Sequence, residues 1–131
     1  MMKYVYPAIF EKEENLYSVY FPDIEGCYTS GDSLEDALFM AEDALALSLF
    51  HKEKKKEKIP MASDISKIQA PQGGFVTLIK CDTLDYCRRN SKKSVKKTLT
   101  IPEYLDIAGT EAGVNFSKVL QDGLIKILGL E

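Results

Sequence analysis

One histidine and three cysteines are all that this 131-residue chain offers toward metal ligation or disulfide bonding. Cys27, Cys81 and Cys87 are an odd set without a Cys-x-x-Cys pair. That argues against a disulfide framework and for reduced, buried thiols. Together with His51 they match no zinc-ligand spacing, so no metal site and no cofactor are expected. No apolar run approaches the roughly 18 residues of a membrane span. The opening Met-Met-Lys-Tyr-Val-Tyr-Pro has no signal-peptide apolar region. A cytoplasmic protein without a membrane partner is the expectation.

Apolar residues make up 45% of the chain, a globular composition, and the length suits one ordinary domain or two very small ones. The net charge of −3 hides a segregation. Residues 1–51 carry 2 basic and 10 acidic side chains, a net of −8. Residues 52–100 carry 13 and 5, a net of +8, and residues 101–131 carry 2 and 5, a net of −3. Such asymmetry suggests one basic and one anionic partner; two solvated faces without partners are the plainer alternative.

Alternation predicts strands at 3–10, 16–21 and 27–29, with Glu11–Asn15 as a hairpin loop. Pro7 cannot donate to a ladder, which places the first strand at an edge or at a bulge. Ser33 as N-cap and Asp36 three residues on form a capping-box pattern. Leu34, Ala37, Leu38, Ala41, Leu45 and Leu49 then recur at helical spacing. Phe39, Met40, Leu47 and Phe50 widen the apolar face, so this helix is expected to pack on a sheet and on something else. His51 and Lys52 suit its negative C-terminal end. The charged tract 52–58 extends the helix into solvent, 59–74 reads as loop, and 75–79 as a buried fourth strand. The polar stretch 82–93, a short helix or linker, is taken to separate domains 1–81 and 94–131.

The last third carries the most information. In Val95-Lys-Lys-Thr-Leu-Thr-Ile-Pro102, Lys96, Thr98 and Thr100 share one parity, and Val95, Lys97, Leu99 and Ile101 the other. A short helix follows Pro102, Gly113 ends it, and Asn115 is a good N-cap for a second helix. A two-faced strand followed at once by two helices resembles a ribbon-helix-helix DNA-binding module. Two such strands, one from each chain, form an antiparallel ribbon that enters the major groove. Lys96, Thr98 and Thr100 are then the base-edge readers. Asn115, Ser117 and Lys118 at the second helix start are candidate phosphate contacts, and Lys92 and Lys93 add non-specific ones. Leu99, Ile101, Phe116, Leu120, Leu124 and Ile127 make a stripe too wide to bury within a module of this size, which calls for a dimer. A dimerisation tail that never meets DNA is the bland alternative.

The stretch Phe21-Pro-Asp-Ile-Glu-Gly-Cys-Tyr-Thr-Ser-Gly-Asp-Ser-Leu-Glu-Asp-Ala-Leu, with Ala41-Glu-Asp-Ala-Leu45, closely resembles the signature of the HicB antitoxin family. The likeness spans nearly the whole chain, and the basic segment 52–72 is its least family-like part. It implies an α+β chain: an N-terminal βββαβ domain, described in the family as a degraded RNase H-like fold, followed by a C-terminal ribbon-helix-helix. It implies neutralisation of a HicA-like toxin, a small basic ribonuclease that works through a histidine. It also implies repression of the shared operon through operator DNA. An acidic domain suits a surface built to bind RNA. Asp23 is open between toxin contact and shaping its Pro-Asp turn, Glu25 between toxin contact and simple solvation, and Tyr28, like Tyr20, between interface anchor and partly buried core.

The acidic residues do not spell a nuclease. Asp32, Glu35 and Asp36 are explained by helix initiation and Glu42 and Asp43 by the exposed helix face, so no catalytic residue is expected. The leading expectation is an antitoxin and autorepressor, at least a homodimer and possible as a tetramer. A stand-alone regulator with a ligand-sensing N-terminal domain, or a pure oligomerisation protein, are the competing readings.

Overall fold

The computed structural model describes residues 2–131. The chain divides into two compact units, one ending at Lys93 and one spanning Ser94–Glu131. The first contains β1 (Lys3–Glu13), β2 (Leu16–Tyr20), β3 (Tyr28–Gly31), α1 (Leu34–Lys54), a 3₁₀ turn at Ile65–Lys67, β4 (Gly74–Asp82) and α2 (Thr83–Asn90). The strands form one antiparallel sheet in the order β3-β2-β1-β4. The βββαβ order expected from the sequence is present.

Strand alternation sorts the side chains onto two faces. Tyr4, Tyr6, Ala8 and Phe10 of β1 lie opposite Cys81, Ile79, Thr77 and Phe75 of β4. This face joins Val19, Phe21, Ala37, Ala41, Leu45 and Leu49 in the core cluster, with α1 as its second layer. Ala37 and Ala41, both fully buried, let the helix backbone approach the sheet closely. Phe50 is the residue that meets something else: its ring lies 5.5 Å from that of Tyr86 in α2. Of the segment 82–93, read above as a short helix or linker, residues 83–90 are helix, and α2 packs on α1. Asp82 starts it by accepting from the Leu84 and Asp85 N–H groups.

Three local expectations change. Glu11, Lys12 and Glu13 do not loop; they pair with Ser18, Tyr17 and Leu16, and a two-residue Glu14-Asn15 turn closes the hairpin. Polar residues there mark solvated strand ends rather than the end of pairing. The third strand is Tyr28–Gly31 rather than 27–29, a short polar edge strand. Pro7 sits in a strand with neighbours on both sides, yet β2 pairs with β1 only from Ile9 onward. At Pro7, β1 has β4 alone as neighbour, so a missing N–H is tolerated.

Ser33 caps α1, accepting from the Asp36 N–H at 3.1 Å. The return bond is displaced by one residue: Asp36 accepts from the Asp32 N–H at 2.9 Å. Gly31 is required where β3 meets this helix start, because a Cβ there would lie 2.3 Å from the Ala37 nitrogen. The obstacle is backbone and cannot swing aside. Gly31→Ala is expected to cost about 3 kcal/mol, the upper range for overpacking. Urea unfolding of the variant tests this, and an unchanged midpoint would refute it.

The second unit holds α3 (Glu103–Glu111) and α4 (Phe116–Leu128). Gly113, at φ +71°, ends α3, with Val114 donating to Gly109 O and Gly113 to Thr110 O. Asn115 caps α4 through the Lys118 N–H at 3.0 Å. The Phe116 ring packs so closely over Gly109 that a Cβ there would meet it at 2.6 Å. This accounts for a glycine inside a helix, where it otherwise costs about 1 kcal/mol.

Candidate functional site

The sheet face turned away from α1 carries the first unit's candidate contact surface. Tyr20 and Tyr28 are register partners on it, 50% and 74% exposed. Beside them a hollow of about 540 Å³ is lined by Ile9, Glu11, Ser18, Tyr20, Gln69, Ala70 and Pro71. Glu11 and Glu13 continue the same parity along β1. An aromatic pair thus grades into carboxylates along one face. Large, rigid rings with a polar tip suit a protein interface.

The segment between α1 and β4 builds one wall of that hollow. On the helix-bearing face Tyr6 donates its hydroxyl to Pro60 O. Burial, and then the Asp23 carboxylate, raise the Tyr6 pKa, which keeps the phenol a donor. Asp23 accepts from the Ser63 N–H at 2.9 Å and from the Ser63 hydroxyl. Residues 69–71 then line the opposite face, so the segment passes from one side of the sheet to the other. Asp23 therefore holds this segment in place. Glu25 and Tyr28 are exposed.

The two ends of α1 differ in charge. Glu13, Glu14 and Asp32 line a shared hollow of about 400 Å³ where the β1–β2 hairpin meets the start of α1. Glu35 and Asp36 occupy that helix's first turn, and His51, Lys52 and Lys54 its last. A 21-residue helix separates these ends by about 30 Å. Its C-terminus turns at Lys56 with φ 57°, where Lys56 donates to Glu53 O and Glu57 to Lys52 O.

The second unit has a different character. From Ser94 to Glu131 no residue is buried, and every one is exposed except Gly109 and Gly123. Leu99, Ile101, Phe116, Leu120, Leu124 and Ile127 are between 38% and 81% exposed. Residues 91–102 carry no helix, turn or ladder within the chain. The segment 95–101, expected to be a strand, has no ladder partner within the chain. Val95, Leu99, Leu120 and Leu124 line an open groove of about 820 Å³ together with Lys96, Lys97, Thr98, Ser117 and Gln121. Lys96, Thr98 and Thr100 are exposed, as are Lys92 and Lys93 in the first unit. Lys118 reaches Asp122 at 3.5 Å, a solvent-exposed pair worth little.

The family model for "HicB_like antitoxin of bacterial toxin-antitoxin system" matches residues 6–122. The chain belongs to the HicB-like antitoxin family. It is 28% identical over 100 residues to Antitoxin HicB 2 of Photorhabdus laumondii, covering 75% of this chain and 72% of that protein. Among solved structures it resembles a chain of a toxin–antitoxin complex from Streptococcus pneumoniae. That likeness has a TM-score of 0.63 and 28% identity, over 95% of this chain and 99% of the other. It also resembles a chain of the HicA3 and HicB3 toxin–antitoxin complex, with a TM-score of 0.52 and 27% identity over 60% and 99%.

Chemistry in this antitoxin is sparse. Among the described residues no three His, Cys, Asp or Glu side chains are placed to hold a metal ion. Among the same residues no helix is long and apolar enough to cross a membrane. Cys27 and Cys81 are buried and Cys87 is half-buried. Burial, reinforced by Glu42, Asp82 and Glu53, pushes the Cys81 thiol up to about 12; burial also raises Cys27. At pH 8 Cys87 alone of the three is therefore expected to react readily in the folded protein. Thiol titration with and without denaturant checks this, and fast release of a second equivalent without denaturant would contradict it.

Sequence reasoning did not bring Ile9, Ser18 and residues 69–71 together around the hollow beside Tyr20. Strand parity alone places Ile9, Glu11, Ser18 and Tyr20 on one face. Nothing local says that a loop distant in sequence folds over that face.

Proposed function

We propose that this antitoxin binds and neutralises a HicA-like mRNA-cleaving toxin through its first unit. Its second unit, as a ribbon-helix-helix dimer, binds operator DNA and represses its own operon. The observation that carries the reading is the second unit's lack of any buried residue beside an extended, unpaired, two-faced segment. A 38-residue unit with every large apolar side chain exposed needs a second copy to make a core. Pairing two 95–101 segments covers Leu99 and Ile101 and leaves Lys96, Thr98 and Thr100 on the opposite face for the major groove. The helix-start groups at Asn115, Ser117 and Lys118 serve DNA phosphates, with Lys92 and Lys93 as further electrostatic contacts.

For the toxin, the outer sheet face is favoured. Tyr20 and Tyr28 supply anchors, and Glu11, Glu13 and Glu25 supply charge complementary to a basic, RNA-binding surface. Asp23 acts through the Ser63 segment it holds. Resemblance to chains in two solved toxin–antitoxin complexes supports such a partner. We assign the protein no catalytic activity and place it in the cytoplasm with its toxin and operator.

The test is co-expression with a HicA-like toxin. Co-purification and relief of growth arrest are expected. Tyr20→Ala and Tyr28→Ala should each weaken the complex by about thirtyfold, the effect of an interface hot spot. Neutral tyrosine variants would move the toxin to another face. An absent complex would leave a stand-alone regulator whose first unit senses a ligand.

A further inference from the structure

The C-terminal end of α1 departs from the acidic character of its unit. Residues 52–58 hold five lysines and two glutamates, directly after a stretch with a net charge of −8. One of those glutamates is turned inward: Glu53 is half-buried, and its Oε2 accepts from the Tyr4 hydroxyl at 2.8 Å. Lys54, Lys55, Lys56 and Lys58 are exposed, and among the described residues none of them is in an ion pair. The helix dipole accounts for His51, Lys52 and Lys54 in the last turn. It does not account for Lys56 and Lys58, which lie past the cap at Lys55. Lys56, at φ 57°, is the one non-glycine among the described residues with a positive φ. It occupies the turning position of a two-bond helix ending, where glycine or asparagine is usual. A lysine there accepts an unfavourable backbone conformation and adds a charge to the turn.

We propose that this lysine turn is a phosphate contact of the first unit, and that it holds the duplex DNA flanking the site read by the tail. The inference rests on the operator-binding reading above. Position within the first unit favours DNA as the polyanion. Phe50 packs on Tyr86 of α2 with ring centroids 5.5 Å apart. One turn of α1 leads from Phe50 to Lys54, and one turn of α2 from Tyr86 to Asn90, after which the chain runs on to the tail. The lysine turn therefore lies near the point where the chain leaves the first unit for the DNA-reading segment. The opposite end of α1, about 30 Å away, carries Glu35 and Asp36 and repels phosphates. A duplex carries one charge per about 1.7 Å of its axis, so flanking base pairs present phosphates whatever their sequence. Such a contact adds affinity and not specificity, and in a tail dimer it occurs twice.

Binding of the full-length chain to two operator duplexes tests this. One is trimmed to the shortest fragment that keeps sequence-specific binding, and the other is extended by about ten base pairs, one helical turn, on each side. The variant combines Lys55→Gln, Lys56→Asn and Lys58→Gln; asparagine suits the left-handed turn. It should stay folded, dimeric and toxin-binding. On the extended duplex its affinity should fall at least about tenfold at about 0.1 M salt. The slope of log affinity against log salt should become shallower by about 2, for one contact per subunit. On the trimmed duplex affinity and slope should match wild type. Wild-type behaviour on the extended duplex would overturn the proposal. So would an equal loss on both duplexes, or a larger loss on single-stranded RNA of the same length. Loss of toxin binding with DNA binding intact would give these lysines to the protein interface instead. A wild-type chain that binds neither duplex at low salt would overturn the operator reading itself, and this contact with it.

Discussion

Replacing Lys96, Thr98 and Thr100 together with alanine is expected to lower operator affinity by about a thousandfold, since a good base-edge contact contributes roughly 1–3 kcal/mol. In the proposed ribbon each residue occurs twice, so six side chains are removed from the groove. The three residues share one parity of a segment whose other parity carries Leu99 and Ile101. None of them is buried. Removing them should therefore leave the dimer and toxin binding unchanged. Electrophoretic mobility shift at fixed salt measures the first effect, and light scattering with toxin pull-down the other two. Lys92→Ala with Lys93→Ala gives the contrast: weaker binding to all duplexes alike and a shallower salt dependence, as expected for phosphate contacts. Loss of toxin binding in the triple variant would end the division of labour between the two units.

What was legible in the sequence follows from which interactions are local. Ser33, Asn115 and Gly113 announce helix ends because a cap bonds to a backbone group two to five residues away. The β2 face and the Ala37, Ala41, Leu45 and Leu49 part of the α1 stripe were legible because period sets the face, whereas Leu34 and Leu38 of the same stripe are exposed. The ends of β1 were not. Glu11 to Glu13 pair as strand although nothing buries them, because the register of Phe10 with Val19 carries the ladder onward. That Pro7 is tolerated in β1 depends on where β2 stops, a property of another strand. The role of Asp23 was undecidable locally, since its partner Ser63 is 40 residues away. Gly31, quoted as part of a family signature, acquires its reason only when α1 is laid against it. Family membership explains why the candidate surfaces were recognisable at all. The identity of the side chains that meet a toxin is set by a surface that no single strand encodes.

The contrast between the two units leads to the second large effect. The first unit has a closed core in which Phe10, Phe21, Ile24, Leu45 and Leu49 are fully buried. The second has none, so in the proposed dimer its folding is coupled to association. Two consequences follow. Its melting temperature should rise with protein concentration while that of the first unit does not. Leu120→Asp with Leu124→Asp should then abolish the dimer. These two residues line the groove beside Val95 and Leu99, and four carboxylates would enter the shared core, each costing several kcal/mol if buried unpaired. The second unit should lose helical signal and operator binding altogether, which a dimer that depends on this stripe cannot avoid. The first unit should stay folded, because none of its core residues lies beyond Lys93, and it should still bind toxin one to one. Circular dichroism, light scattering and toxin titration on the same variant separate these outcomes. A variant that remains dimeric and binds operator would show that the Leu120–Leu124 stripe is not the dimer core. Loss of toxin binding with the first unit folded would show that neutralisation itself requires two copies.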